Sequence, residues 1–429
     1  MKREDFVTAV VANKNGEVFD VQGFAAVGMA GDNFVVLSRK DTVSLPGGSE
    51  LLFLPDRRPI VFNIDSGRFE ILYEHPYLPA EPVFPVAAFN APGYVITRIC
   101  AYEEEPDASP LPLFAYGAVG WKNGRFRASA FCIDRERRQN INFMNIEKML
   151  EGIEKLRKRM PRNRLRRHLE NCALNYGCPA AKNFFLHRYE APLPTSTRCN
   201  ARCWGCLSLQ EGGEITSTQD RICFTPSPDE IAEIAVYHIL NTRKRIVSFG
   251  QGCEGEPLLA ADVIEPALKL IRKETRLGTI NMNTNASLPS TLDRLFEAGL
   301  DSIRVSMNSV REECYTAYFR PRGYSFNDVI QSIDLAAAKG RFVSINYMNM
   351  PGFTDTKGEV EALLSFLEKH QVRMIQWRNL NLDPLRYWRL MGMEGKVSEP
   401  IGMSQLVEKI QKKFSGIKHG YFNPEKGKM

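Results

Sequence analysis

The chain has 429 residues, 44% hydrophobic and 25% charged, with a formal net charge of +6. That length holds two or three domains, and the balance is that of a soluble globular protein, which excludes a disordered or fibrous chain. No apolar run approaches the roughly 20 residues that span a bilayer, so no membrane partner is expected. Met1-Lys2-Arg3-Glu4-Asp5 leads into a short alternating stretch and not into an apolar core with a cleavage site, so no signal peptide is expected. Ten cysteines in such a chain argue against a disulfide framework. They point to a reducing compartment, the cytoplasm, and to metal or redox chemistry.

In chain order, residues 1–144 read as an all-β accessory domain, barrel or sandwich. β-rich segments at 6–11, 33–38, 50–54, 60–64, 69–73, 94–101, 113–121 and 125–133 are separated by turn signals. Trp121-Lys122-Asn123-Gly124-Arg125-Phe126 predicts a two-residue hairpin. Residues 145–184 read as a basic helical linker with helices at 146–160 and 164–172, interrupted by Pro161. It carries Lys155, Arg157, Lys158, Arg159, Arg162, Arg164, Arg166 and Arg167 with no acid among them. These eight charges exceed the whole net charge, so the rest of the chain is close to neutral. The run is either a solvated helix face or a patch for phosphate groups, RNA or an acidic protein partner.

From residue 185 to 380 strands and helices alternate. Strands are predicted at 186–193, 246–249, 279–283, 302–307, 343–348 and 374–378. Helices are predicted at 227–240, 261–275, 289–298, 327–339, 356–370 and 403–414, the last in a helical extension, 381–429. Regular alternation implies α/β architecture with parallel strands and right-handed crossovers.

Just after the first of these strands comes Arg198-Cys199-Asn200-Ala201-Arg202-Cys203-Trp204-Gly205-Cys206. Three thiolates are one short of the four that complete a cubane, so they can hold three irons of a [4Fe–4S] cluster and leave the fourth open. The alternative is half a zinc site or a non-catalytic iron–sulfur protein, but no His lies within ten residues of the run.

The three-then-two spacing of Cys199, Cys203 and Cys206 resembles the signature of the radical S-adenosylmethionine (SAM) superfamily. The resemblance covers residues 185–380 and implies a partial (β/α)6 barrel with its site at the C-terminal strand ends. It implies an enzyme that reductively cleaves SAM at a [4Fe–4S] cluster, giving a 5′-deoxyadenosyl radical that abstracts hydrogen from a substrate. An electron donor such as flavodoxin or ferredoxin is implied with it. A small-molecule substrate is the first expectation; radical modification of RNA or of a protein is the alternative.

Later strand ends extend the resemblance. Gly255-Glu256-Pro257 is similar to the family's Gly-Gly-Glu-Pro turn, with Glu254 in place of the first glycine. Asn283-Thr284-Asn285 is similar to its Thr-Asn-Gly, with Ala286 for the glycine. Ser306 and Asn308 alternate onto one strand face. In relatives such residues hold SAM, and Asn346 and Arg378, on the next two strands, join them as candidates. The family's aromatic before the last cysteine is here Gly205, with Trp204 one residue earlier as the adenine candidate. Cys172, Cys178, Cys223 and Cys253 can hold a second cluster if they meet at one pole, or be scattered buried thiols. Their spacing matches no cluster pattern. Cys100, Cys132 and Cys314 read as structural.

Overall fold

The alternating half of the chain folds as predicted because its central strands are buried on both faces. Ile246–Phe249 and Thr279–Thr284 are buried at every position, the mark of a parallel sheet covered by helices. The computed structural model describes residues 5–396 and 399–429; Met1 to Glu4, read above for a leader, lie outside them. The strands run Glu190–Pro192, Ile246–Phe249, Thr279–Thr284, Ser302–Met307, Phe342–Asn349, Met374–Asn379 and Lys418–Gly420, each beside its predecessor in one seven-stranded sheet. Pairing is parallel between the first and second, second and third, third and fourth, fourth and fifth, and sixth and seventh. The seventh strand is an addition to the six expected.

The first strand is shorter than expected. Residues 179–185 form a helix instead, and His187 and Tyr189 both take positive φ, outside the region of regular strand backbone. The crossover helices begin where their caps dictate. Ser227 accepts from the Glu230 amide ahead of Pro228, and Ser325 from that of Asp328, each closing a capping box. Helices Glu312–Phe319 and Pro384–Leu390 were not read from the sequence.

The chain divides into two compact units, one of residues 1–135, 348–364 and 377–415, the other of 136–347, 365–376 and 416–429. In the first, Val18–Ala30 pairs with Thr8–Ala12, which pairs with Phe84–Phe89, which pairs with Gly117–Lys122. Gly117–Lys122 pairs with Ile99–Cys100, which returns to Val18–Ala30. That circuit has the connectivity of a barrel. Val10, Ala12, Val86, Ala88 and Val119 form one of its core clusters. Val18–Ala30 and Phe84–Phe89 escaped the pattern reading because residues 25–30 of the first and 85–88 of the second are mostly small and buried on both faces, so nothing alternates there.

This unit is also stitched across long sequence gaps. Arg57, fully buried, donates to Glu104 Oε1 at 2.7 Å, Asp383 Oδ2 at 3.2 Å and the Ser109 carbonyl at 2.9 Å. Asn379 accepts from the Ile96 amide and donates to the Tyr94 carbonyl, while Asn349 donates to the Ile96 carbonyl.

In the second unit the basic run lies on helices Ile146–Arg159 and Arg164–Leu174. Arg157 pairs with Glu170 and Glu154, Lys158 with Glu154, Arg164 with Glu230, and buried Arg166 with Glu170. Arg159 stacks over the Tyr237 ring. The acids come from outside the run, which is why the sequence reads it as unneutralised. Among the described residues, Lys155, Arg159, Arg162 and Arg167 keep no carboxylate partner. RNA titrations of the wild-type chain against salt are therefore expected to give a log–log slope no steeper than about −3, four phosphates at about −0.7 each. A markedly steeper slope would favour the polyanion reading over the solvated face.

Candidate functional site

Strand Glu190–Pro192 opens into the loop of residues 193–227, which carries all three cysteines of the triad. Its start is pinned to the sheet, Leu193 N donating to the Ser248 carbonyl at 2.8 Å. The turn after Ile246–Phe249 then lies along it. Gly255 N donates to the Ser196 carbonyl at 2.7 Å and Glu256 N to that of Arg198 at 2.8 Å. A Cβ on Gly255 would stand 1.9 Å from the Arg198 carbonyl oxygen, so only glycine fits.

Glu254 explains its own presence in place of a glycine. Its buried carboxylate accepts from the amides of Thr195, Ser196, Gly250 and Gln251 at 2.6–3.0 Å. Burial nevertheless pushes it up to about 7. Glu256 is equally committed, accepting from Leu258 N at 3.1 Å, Asn285 N at 2.8 Å and Thr284 Oγ1 at 2.5 Å. Its carboxyl is also raised to about 7 by burial. These acids tie two strand ends to the cysteine loop.

The other side of the loop is braced by residues 318–322. Arg202 N donates to Phe319 O, Trp204 N to Tyr318 O and Arg322 N to Asn200 O, at 2.8–3.3 Å. Arg320, at φ 48°, caps the helix Glu312–Phe319, donates to Arg202 O at 2.5 Å and places its guanidinium 4.4 Å from the Trp204 ring centre. The Tyr318 hydroxyl meets the Gly205 backbone.

The three thiols are half-buried. Burial pushes Cys199 up to about 11 and Cys203 well above its ordinary value, and the charge of neighbouring triad members adds to both shifts. Arg221 Nη2 stands 3.6 Å from Cys206 Sγ. Three thiols that feel one another's charge, with a guanidinium against the third, fit an anionic iron–sulfur cluster. Metal binding takes up such thiols as thiolates.

The remaining candidates divide by what they already touch. Asn283 donates to the Gly250 carbonyl, and Asn285 bridges Asn200 Oδ1 and the Ser287 amide. Asn308 is fully buried and donates to Cys314 O, holding the turn after its strand. Ser306 and Asn346 are register partners on adjacent strands and both half-buried. The Ser306 hydroxyl makes no hydrogen bond among the described residues. Arg378 belongs to the first compact unit, the triad to the second. Arg221, Arg320, Tyr318 and Asn200 were not singled out from the sequence. Only Asn200, inside the cysteine run, carried a local signal.

A family model described as the radical SAM superfamily matches residues 193–367. The chain is 29% identical over 203 residues to "Molybdenum cofactor biosynthesis protein 1" of Dictyostelium discoideum, across 47% of this chain and 30% of that one. It is 27% identical over 241 residues to the mitochondrial "GTP 3′,8-cyclase" of Arabidopsis thaliana, across 56% of each. It thus spans less than two thirds of either relative. Streptococcus suis SuiB bound to S-adenosylmethionine matches at 14% identity and a TM-score of 0.39, over 66% of this chain and 62% of SuiB. Among the described residues no helix is long and apolar enough to cross a membrane. The cysteine run thus lies inside residues 193–367, the region that matches the radical SAM superfamily, whose cofactors are a [4Fe–4S] cluster and SAM.

Proposed function

We propose that this chain reductively cleaves SAM and directs the resulting radical to a small-molecule substrate. One observation carries the reading: Cys199, Cys203 and Cys206 share a loop whose backbone is bonded to the Gly255-Glu256 turn of the next strand. Cys199, Cys203 and Cys206 would hold the cluster, which when bound supplies the electron for SAM cleavage. Arg221 offsets thiolate charge at Cys206. The Gly255-Glu256 turn offers backbone carbonyls beside the loop, and Ser306 and Asn346 offer polar groups at two further strand ends. Asn283, Asn285 and Asn308 act by fixing the strand-end turns. Trp204, held under Arg320, is the aromatic nearest in sequence to the last cysteine.

The substrate class is supported by the relatives named GTP 3′,8-cyclase and by a basic run half of whose charges are paired with acids. GTP is the first small molecule to try. The test is anaerobic reconstitution, reduction with dithionite and chromatography for 5′-deoxyadenosine. Release of that product with SAM alone is expected, with a rise on adding the true substrate. None at all from cluster-loaded protein would refute the reading. Ser306→Ala is expected to weaken SAM binding by about 1 kcal/mol, roughly fivefold in Kd, with the cluster intact. Equilibrium binding that does not change would remove Ser306 from the site.

A further inference from the structure

Away from the triad, the second unit brings together donors that lie far apart in sequence. Among the described residues, His168, Cys172 and Cys253 are the group whose ligand atoms all fall within 4.8 Å of one another. His168 and Cys172 are four residues apart on helix Arg164–Leu174 and so share a face. Cys253 comes from the turn that carries Glu254, Gly255 and Glu256. Cys172 and Cys253 are buried and His168 half-buried. Cys178 follows at the start of the next helix, its amide donating to the Cys172 carbonyl at 2.9 Å. Its thiol lies within electrostatic reach of both other sulfurs.

We propose that His168, Cys172 and Cys253 form a second metal centre, built for one tetrahedral ion of the zinc class, with Cys178, outside their 4.8 Å group, swinging in as the fourth ligand. Zinc–sulfur bonds of about 2.3 Å and zinc–nitrogen bonds of about 2.0–2.1 Å at tetrahedral angles put sulfur and nitrogen about 3.6 Å apart. Cys172 Sγ and His168 Nε2 are 3.5 Å apart. A cubane sets each sulfur on a different iron and spreads its ligands farther than one ion does. Soft thiolates with one imidazole in a tetrahedral set select zinc among the common divalent ions. Binding forms three metal–sulfur bonds and one metal–nitrogen bond and releases to solvent whatever protons the thiols carry, with no change of oxidation state.

The ion would clamp the helix Arg164–Leu174 to the turn that bonds the cysteine loop. Cys223 lies on the rim, between Ile222, whose amide donates to Cys253 O at 2.7 Å, and Phe224, whose ring meets His168 edge-on. It is exposed and is left out of the ligand set.

The full chain carrying Cys199→Ala, Cys203→Ala and Cys206→Ala makes the test independent of radical chemistry. Purified under reductant from zinc-supplemented cells, it is expected to hold about one zinc per chain. Exchange for cobalt(II) should give the visible bands of a tetrahedral thiolate site. Adding Cys172→Ser with Cys253→Ser should remove both signals, and adding Cys223→Ser should leave them. A folded triple variant, checked by circular dichroism, that binds neither metal would overturn the proposal. So would four irons and four sulfides in that variant, or a Cys172–Cys253 disulfide that persists under reductant. A failure of SAM cleavage in the wild-type chain would touch none of these readouts.

Discussion

No 5′-deoxyadenosine is expected from a chain in which Cys199, Cys203 and Cys206 are all alanine. A thiolate that bonds iron has no substitute in a methyl group, and the run supplies all three within one loop. Iron and sulfide at the triad should fall to background, and with them the charge-transfer absorbance of the cluster. Each single alanine variant is expected to lose most of the iron as well, since two thiolates cannot retain a cubane that three hold. SAM cleavage at wild-type rate in the triple variant would remove the triad from the chemistry altogether. Arg221→Ala should be milder, because its guanidinium faces Cys206 Sγ without bonding iron.

The second large effect concerns a methyl group. Gly255→Ala places a Cβ 1.9 Å from the Arg198 carbonyl oxygen and 2.4 Å from its carbon. Both partners are backbone, and both are already tied by the hydrogen bonds of Gly255 and Glu256 to Ser196 and Arg198. No side chain can swing aside, so the turn and the cysteine loop must part. A loss of about 3 kcal/mol of stability is expected, at the upper end of overpacking costs, together with poor cluster retention. Gly416→Ala is the control: nothing lies within 4 Å of its added carbon, and its stability should stay within about 0.5 kcal/mol of wild type. Denaturant midpoints measure both. Equal midpoints for the two variants would show that the turn is free to move.

How much of this was legible in the sequence depends on distance along the chain. The triad, the glycine-rich turn and the alternation of strands and helices are local patterns, and each was read before the fold. The bracing of the loop was not, because Arg221, Tyr318 and Arg320 reach it from segments with no pattern of their own. Glu256 illustrates a different limit. Its type and place were readable, but only the fold shows its carboxylate spent on Leu258, Thr284 and Asn285. The strand Lys418–Gly420 is too short to show a period, and it exists because the edge of Met374–Asn379 was open to pair. The basic run shows the same limit: Glu170 and Glu230, its chief partners, lie outside it.

The bonds of Arg57, Asn349 and Asn379 bear on how such a protein can be taken apart. The family match ends at residue 367, which invites an attempt to express the barrel alone by removing the leading 135 residues. Residues 349, 379 and 383 continue directly from sheet strands, yet they are partnered by Ile96, Tyr94 and Arg57. Cutting there would strand the Asp383 carboxylate without the guanidinium it faces and leave two asparagines without the backbone they clasp. Removing residues 1–135 would therefore cut through the compact unit that they form with residues 348–364 and 377–415.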